Sequence, residues 1–185
     1  MTISPSPIGP MLRHWRMLNR VKQLHAAQVF GVCQSTISRW ESGVQDAEPE
    51  QRARIEALLK ARLSSAADHA LARLVSGSSQ PVHLVCDLTH RLLACSAPRE
   101  AEFHVPVSEL LGVSLWPFAT AEIASQEQRL AELGWRDNLA SPALEFATGT
   151  NGSAVVPIQH SLCRWTRLTL SDGSTARLVE TLAHI

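Results

Sequence analysis

The run VKQLHAAQVFGVCQSTISRWESG, residues 21–43, constrains this chain more than any other stretch. Ala26, Ala27 and Phe30 recur at helical spacing, and Gly31 follows where a helix can end in a left-handed residue. Val32 reads as the buried residue of a turn. Ile37 and Trp40 then mark the inner face of a second short helix. Ala27 is small enough to let the two helices cross closely. Two helices, a turn with glycine and an outward-facing second helix are the parts of a helix-turn-helix. Upstream, Leu12, Trp15, Arg16 and Leu18 outline a preceding helix.

With Ile37 and Trp40 turned inward, Gln34, Ser35, Ser38 and Arg39 project outward. Arginine can bind guanine through two acceptors, and glutamine can bind adenine in the same two-point way. Thr36 suits either a phosphate hydrogen bond or local packing. Charge is distributed to match. Residues 11–62 hold nine basic and five acidic side chains, whereas the remainder holds eight basic and twelve acidic ones, although the whole chain is neutral. A basic head on an acidic body fits a nucleic-acid-binding unit joined to a different module.

Residues 12–60 closely resemble the Xre-type helix-turn-helix family, which includes the phage repressors. Phe30-Gly31-Val32-Cys33 stands for that family's Leu-Gly-Val-Ser turn, and Gln34–Gly43 nearly repeats its third helix. The resemblance implies a sequence-specific regulator acting on double-stranded DNA. It also implies that Gln23 contacts the DNA backbone and braces the third helix. Two positions depart from the pattern. Arg20 replaces a usual glycine, and Lys22 replaces a capping Ser or Thr, a loss worth about 0.5–2 kcal/mol. Glu41 is expected to pair within the domain, and Trp15 and Trp40 to lie in its core.

Pro49 opens a further helix, with Asp46 or Glu48 as its cap. Apolar residues then recur to Val75, as one long helix or two in tandem, with Ser64-Ser65 marking a bend. Leu63, Ala66, Ala70, Leu71 and Leu74 are the expected dimer contacts of this linker. An expected domain plan follows: a disordered tail over 1–10, a DNA-binding domain over 11–62, a linker and dimerisation helix over 63–79, and a second domain over 80–185.

From Pro81 the periodicity changes. Val82, Leu84 and Cys86 alternate as in a strand, residues 87–90 read as a turn, and 91–96 as a second strand. Short helical pieces over 107–118 and a helix over 120–134 follow. Strand-like runs then cover 143–148, 154–170 and 176–183, the last two joined by the hairpin signal Asp172-Gly173. This order, with Asp87, residues 109–116 and Trp165 to Gly173, resembles a PAS domain. The fold expected for the whole chain is therefore α+β: an all-α helix-turn-helix domain, a linker helix and a PAS-like antiparallel sheet with helices.

The resemblance implies a domain that dimerises or senses, with ligands held between sheet and central helix. The expected lining is Leu84, Cys86, Leu93, Leu115, Trp116, Phe118, Ile123, Leu130, Val156 and Trp165. All ten are apolar, so a filled core is expected, with no cofactor and no metal. Regulation would then come from partner contacts or a weak apolar ligand. The central helix carries neither the cysteine of flavin photosensors nor an axial histidine. His83, His90, His104 and His160 have no metal-ligand spacing. Cys163 and His160 would point to opposite faces of a strand, so no enzyme is expected. The four cysteines form no CxxC pair, no apolar run could span a membrane, and residues 1–10 lack the pattern of a secretion signal. A dimeric cytoplasmic transcription regulator is the leading expectation. The alternative is a DNA-binding adaptor whose second domain docks another protein.

Overall fold

The computed structural model describes residues 8–135 and 141–185. Four helices come first: α1 (Ile8–Leu18), α2 (Gln23–Phe30), α3 (Gln34–Glu41) and α4 (Pro49–Leu59). They share one core containing Leu12, Ala27, Phe30, Ile37, Trp40 and Ile55. The expected tail is shorter than residue 10. Ile8 and Met11 are buried, so α1 already begins at Ile8, and residues 1–7 lie outside the described residues. Gly9 lets α1 meet α3, since a Cβ there would fall 1.8 Å from the Trp40 carbonyl oxygen. Gly31 closes α2 at φ 68°, as its place in the sequence demands.

The two departures noted at the sequence level have physical counterparts. Arg20 adopts φ 54°, a left-handed conformation costing a non-glycine residue about 1–2 kcal/mol. Lys22 occupies the N-cap of α2 and supplies no side-chain hydrogen bond. At the start of α2 the helical unit therefore relies on its core and on ion pairing rather than on a local cap.

The apolar stripe past Pro49 forms two helices in tandem. α4 stops at Leu59, and α5 (Ala66–Ser76) starts after a non-helical stretch. Ser65 caps α5 in a reciprocal box with Asp68. Asp68 also accepts from the backbone N–H and the hydroxyl of Ser171, at 3.0 and 2.6 Å. Burial alone would raise the Asp68 pKa. The bonds from Ser171, and then those from Ser65 and Ser64, outweigh it and hold the carboxyl well below the usual carboxylate range. A carboxyl depressed by folding contributes stability that is complete above its unfolded pKa of about 3.9 and is lost as pH falls through the folded value. The urea midpoint should accordingly hold from pH 7 to about 5 and then fall, and Asp68→Asn should flatten part of that fall. An acid limb of equal slope in the variant would refute the assignment.

The rest of the chain is β1 (Val82–Cys86), β2 (Leu92–Cys95), the short helices α6 (Ala97–Glu100) and α7 (Val107–Leu110), α8 (Ala121–Arg129), then β3 (Leu144–Ala147), β4 (Ser161–Thr169) and β5 (Thr175–His184). All strands pair antiparallel in the order β2-β1-β5-β4-β3. The chain is thus α+β, with the PAS-like element order expected from sequence. Two boundaries moved. The expected strand over 154–170 begins only at Ser161, because Asn151 folds the preceding loop back: its amide donates to the carbonyls of Phe118 and Val156. The helix expected over 120–134 ends at Arg129, five residues before Gly134.

The sheet is covered on both faces. Leu71, Ala72 and Val75 of α5 pack on Val82, Leu84, Cys86 and Ala176. The opposite face carries His83, Val85, Cys163, Trp165, Arg177 and Val179, beneath α8 and the loop at Val156. The two halves of the chain meet at the β4–β5 hairpin. The Trp15 indole N–H and the Asn19 amide each donate to the Asp172 carbonyl at 3.1 Å.

Candidate functional site

Two regions carry functional side chains. The first is the outer face of α3. Gln34, Ser35, Ser38 and Arg39 are exposed, while Ile37 and Trp40 are buried beneath them. Trp40 meets Phe30 edge-on at 6.4 Å. An ion pair and two amides hold the helix in place. Arg16 donates to both oxygens of buried Glu41, at 2.7 and 2.9 Å, so Glu41 does pair within the domain as expected. The Gln23 amide donates to Glu41 at 2.8 Å and accepts from the Gln34 amide at 2.7 Å. Gln23 and Gln34 thus form one rigid edge at the N-terminal end of α3.

Cys33, the N-cap of α3, is the residue at this face that sequence reasoning left unassigned. It is exposed, and its sulfur lies 3.0 Å from the hydroxyls of both Ser35 and Thr36. Those hydrogen bonds, from Ser35 first and then Thr36, lower the thiol pKa to about 7. Burial instead pushes Cys95 up to about 11 and Cys163 up to about 12. At pH 7.5 iodoacetamide should therefore modify Cys33 well before Cys86, Cys95 or Cys163, as read by peptide mass spectrometry. Equal labelling of Cys33 and Cys163 in folded protein would contradict these environments.

The second region is a cavity of about 120 Å³ between the sheet and α8. Of the ten residues expected to line it, Leu115, Trp116, Phe118, Ile123, Val156 and Trp165 do so. Leu84, Cys86 and Leu93 instead face α5, and Leu130 packs with Trp135 and Cys163 in a neighbouring cluster. The error is one of parity. Both faces of β1 are covered, so alternation does not mark the inner one, and His83 with Val85 points inward. The expected filled, wholly apolar core is also corrected, because Arg99 and Arg177 border the cavity along with His83 and His90.

Arg177 is the centre of a buried charge cluster that sequence reasoning did not find. It is 1% exposed, with Asp87 at 0% and Glu127 at 6%. Its Nε donates to Asp87 at 2.8 Å, and its Nη1 donates to Glu127 at 2.6 Å. The guanidinium lies 4.2 Å over the Trp165 ring. The Trp135 indole N–H reaches both Asp87 oxygens at 3.2 Å. Burial alone would raise the Glu127 pKa, but Arg177 and then His90, 3.4 Å away, outweigh it and hold the carboxyl well below its usual range. The His90 ring packs against Trp116 at the cavity wall, 4.7 Å between centroids and tilted by 37°.

The expected linker contacts are divided. Leu63 and Leu71 are half-buried against their own sheet, Ala70 is half-buried, Ala66 is exposed, and Leu74 is 75% exposed. Among the described residues no group of three or more His, Cys, Asp or Glu side chains could hold a metal ion, and no helix is long and apolar enough to cross a membrane.

No protein-family model and no curated protein matches the chain. Among solved structures, it is similar to the PAS domain of an HTR-like protein from Haloarcula marismortui, at 16% identity over 74% of this chain and 99% of that one, with a TM-score of 0.46. It is also similar to the PAS domain of nitrogen regulation protein NR(II) from Vibrio parahaemolyticus, at 12% identity over 65% and 99%, with a TM-score of 0.44. A further similar structure is the PAS domain of the Cronobacter turicensis RpfR quorum-sensing receptor in complex with C12:0, at 10% identity over 59% and 99%, with a TM-score of 0.40. At such identities the likeness extends to architecture alone.

Proposed function

We propose that this chain is a cytoplasmic, sequence-specific DNA-binding regulator whose helical head binds the major groove through α3 and whose PAS-like body senses a small molecule. The observation that carries the first half is the braced outer face of α3. Four exposed polar side chains stand on a helix fixed by Arg16, Glu41 and Gln23, and rigid placement of such groups is what base reading requires. Ser35, Ser38, Arg39 and Gln34 would meet base edges, and Thr36 and Gln23 the backbone. Two-fold operators call for a homodimer, for which exposed Leu74 and Ala66 on α5 are the available contacts. A binding protein rather than an enzyme fits this arrangement.

Cys33 offers a direct test. Selection from random duplexes should yield an enriched site, and that duplex should protect Cys33 from iodoacetamide while a scrambled duplex leaves it reactive. No enrichment, or equal reactivity with both duplexes, would overturn the DNA-reading assignment. Between a sensing body and a docking adaptor, the cavity favours sensing, since a concave, mostly apolar site with a few convergent polar groups is what holds a small molecule.

A further inference from the structure

Resting on the sensing half of that proposal, we infer that the cavity takes a neutral, single-ring-sized molecule carrying one oxygen acceptor, held by Arg99 Nε and His83 Nδ1. Size comes from the volume. About 120 Å³ is on the scale of the engineered apolar cavity of roughly 150 Å³ that accepts benzene. The body of the ligand would meet Val85, Phe103, Phe118, Ile123 and Val156, which present carbon.

The acceptor follows from two atoms left over at one end of the sheet. His83 Nδ1 and Arg99 Nε are both buried without a hydrogen-bond partner. The other arms of Arg99 are engaged. Nη1 holds Glu102, and Nη2 donates to the Pro81 carbonyl and the Thr181 hydroxyl. Thr181 in turn donates its backbone N–H to Pro81, two residues before His83, so both orphan atoms sit at the same corner. Burial, and then the charge of Arg99, keep His83 neutral, so its ring nitrogen can donate to an oxygen without adding charge. Arg99 Nε can only donate. Leaving such buried atoms unpaired is costly, and a ligand oxygen relieves the cost.

Neutrality follows from the ion pairs. Each cation at the cavity already has its carboxylate: Glu102 for Arg99, and Asp87 with Glu127 for Arg177. An anionic ligand would enter beside Glu102 with no unmatched positive charge to receive it, and it would lose its hydration on the way.

Three probes of matched shape separate the readings on the full chain: acetophenone, benzoate and isopropylbenzene, titrated by calorimetry or ligand-observed NMR. Acetophenone should bind about tenfold more tightly than either of the others. In His83→Phe its advantage over isopropylbenzene should shrink severalfold, and Val156→Trp should abolish binding of all three. Tighter binding of benzoate, equal binding of isopropylbenzene, or an undiminished advantage in folded His83→Phe would overturn the ligand class while leaving the sensing cavity standing. Should none of the three bind folded wild-type protein up to its solubility limit, the sensing reading itself falls. The wild-type series decides the matter even if a variant fails to fold.

Discussion

Arg177→Met should destabilise the protein by about 3–5 kcal/mol, a large share of the roughly 5–15 kcal/mol that holds most domains together. The side chain contacts Asp87, Glu127 and the Trp165 ring together. Methionine fills much of the same volume, so the loss is not mainly one of packing. It arises because two carboxylates, both buried, keep their desolvation cost and lose the cation they share, leaving Arg167 at 3.9 Å from Asp87 and His90 at 3.4 Å from Glu127. The sign of the pH response separates this from a simple cavity effect. In the wild type Glu127 is held below its usual range, so its stabilisation is lost as pH falls. In the variant a buried carboxyl that has lost Arg177 has a higher pKa than in the wild type, so lowering the pH toward 5 should recover part of the loss. Adding Asp87→Asn and Glu127→Gln should recover more, because the buried anions are then gone. A loss under about 1 kcal/mol, or one that deepens steadily from pH 7 to 5, would show that the cluster does not act as a charge unit.

The cluster escaped sequence reasoning for a physical reason. A strand exposed on one face advertises its inner residues by alternation. In β5 both faces are covered, by α5 on one side and by α8 with its loop on the other, and Ala176, Arg177, Leu178 and Val179 give no period. Arg177 then reads as an edge or solvated residue. Its partners come from 90 and 50 positions away, distances at which a single sequence carries no pairing signal. A lone arginine in TARLVETLAH, with Asp87 in a turn and Glu127 on a helix, was the available hint. The head was more legible because its signals are local. Gly31, the Ile37–Trp40 spacing and Pro49 each act within a few residues, and each marks the element it was expected to mark. The break after Leu59 was less visible, since Lys60 and Ala61 do not oppose helix. What ends α4 is tertiary: Ala61 is buried beside Cys86, whose sulfur accepts its N–H at 3.4 Å.

Arg39→Ala is expected to weaken binding to the selected duplex by about 1–3 kcal/mol, roughly five- to 150-fold, and to relax base preference at one position. The side chain is exposed on α3, and among the described residues no hydrogen bond or ion pair engages its guanidinium. Truncating it should therefore leave folding stability within about 0.5 kcal/mol of wild type, so a binding loss is not a folding loss in disguise. Glu41→Gln is the informative contrast. It removes the charge that holds Arg16 and takes one bond from Gln23, but it touches no outward face. It should lower stability, and it should weaken binding to all duplexes alike by loosening α3, without changing which base is preferred. Salt separates a base contact from a phosphate contact as well. Loss of a phosphate contact reduces the slope of log K on log salt by about one, and loss of a base contact leaves it nearly unchanged. If folded Arg39→Ala binds the selected and scrambled duplexes as the wild type does, α3 is not the reading helix. If its salt slope falls while its preference stays intact, Arg39 contacts the backbone and the base contacts rest with Gln34, Ser35 and Ser38.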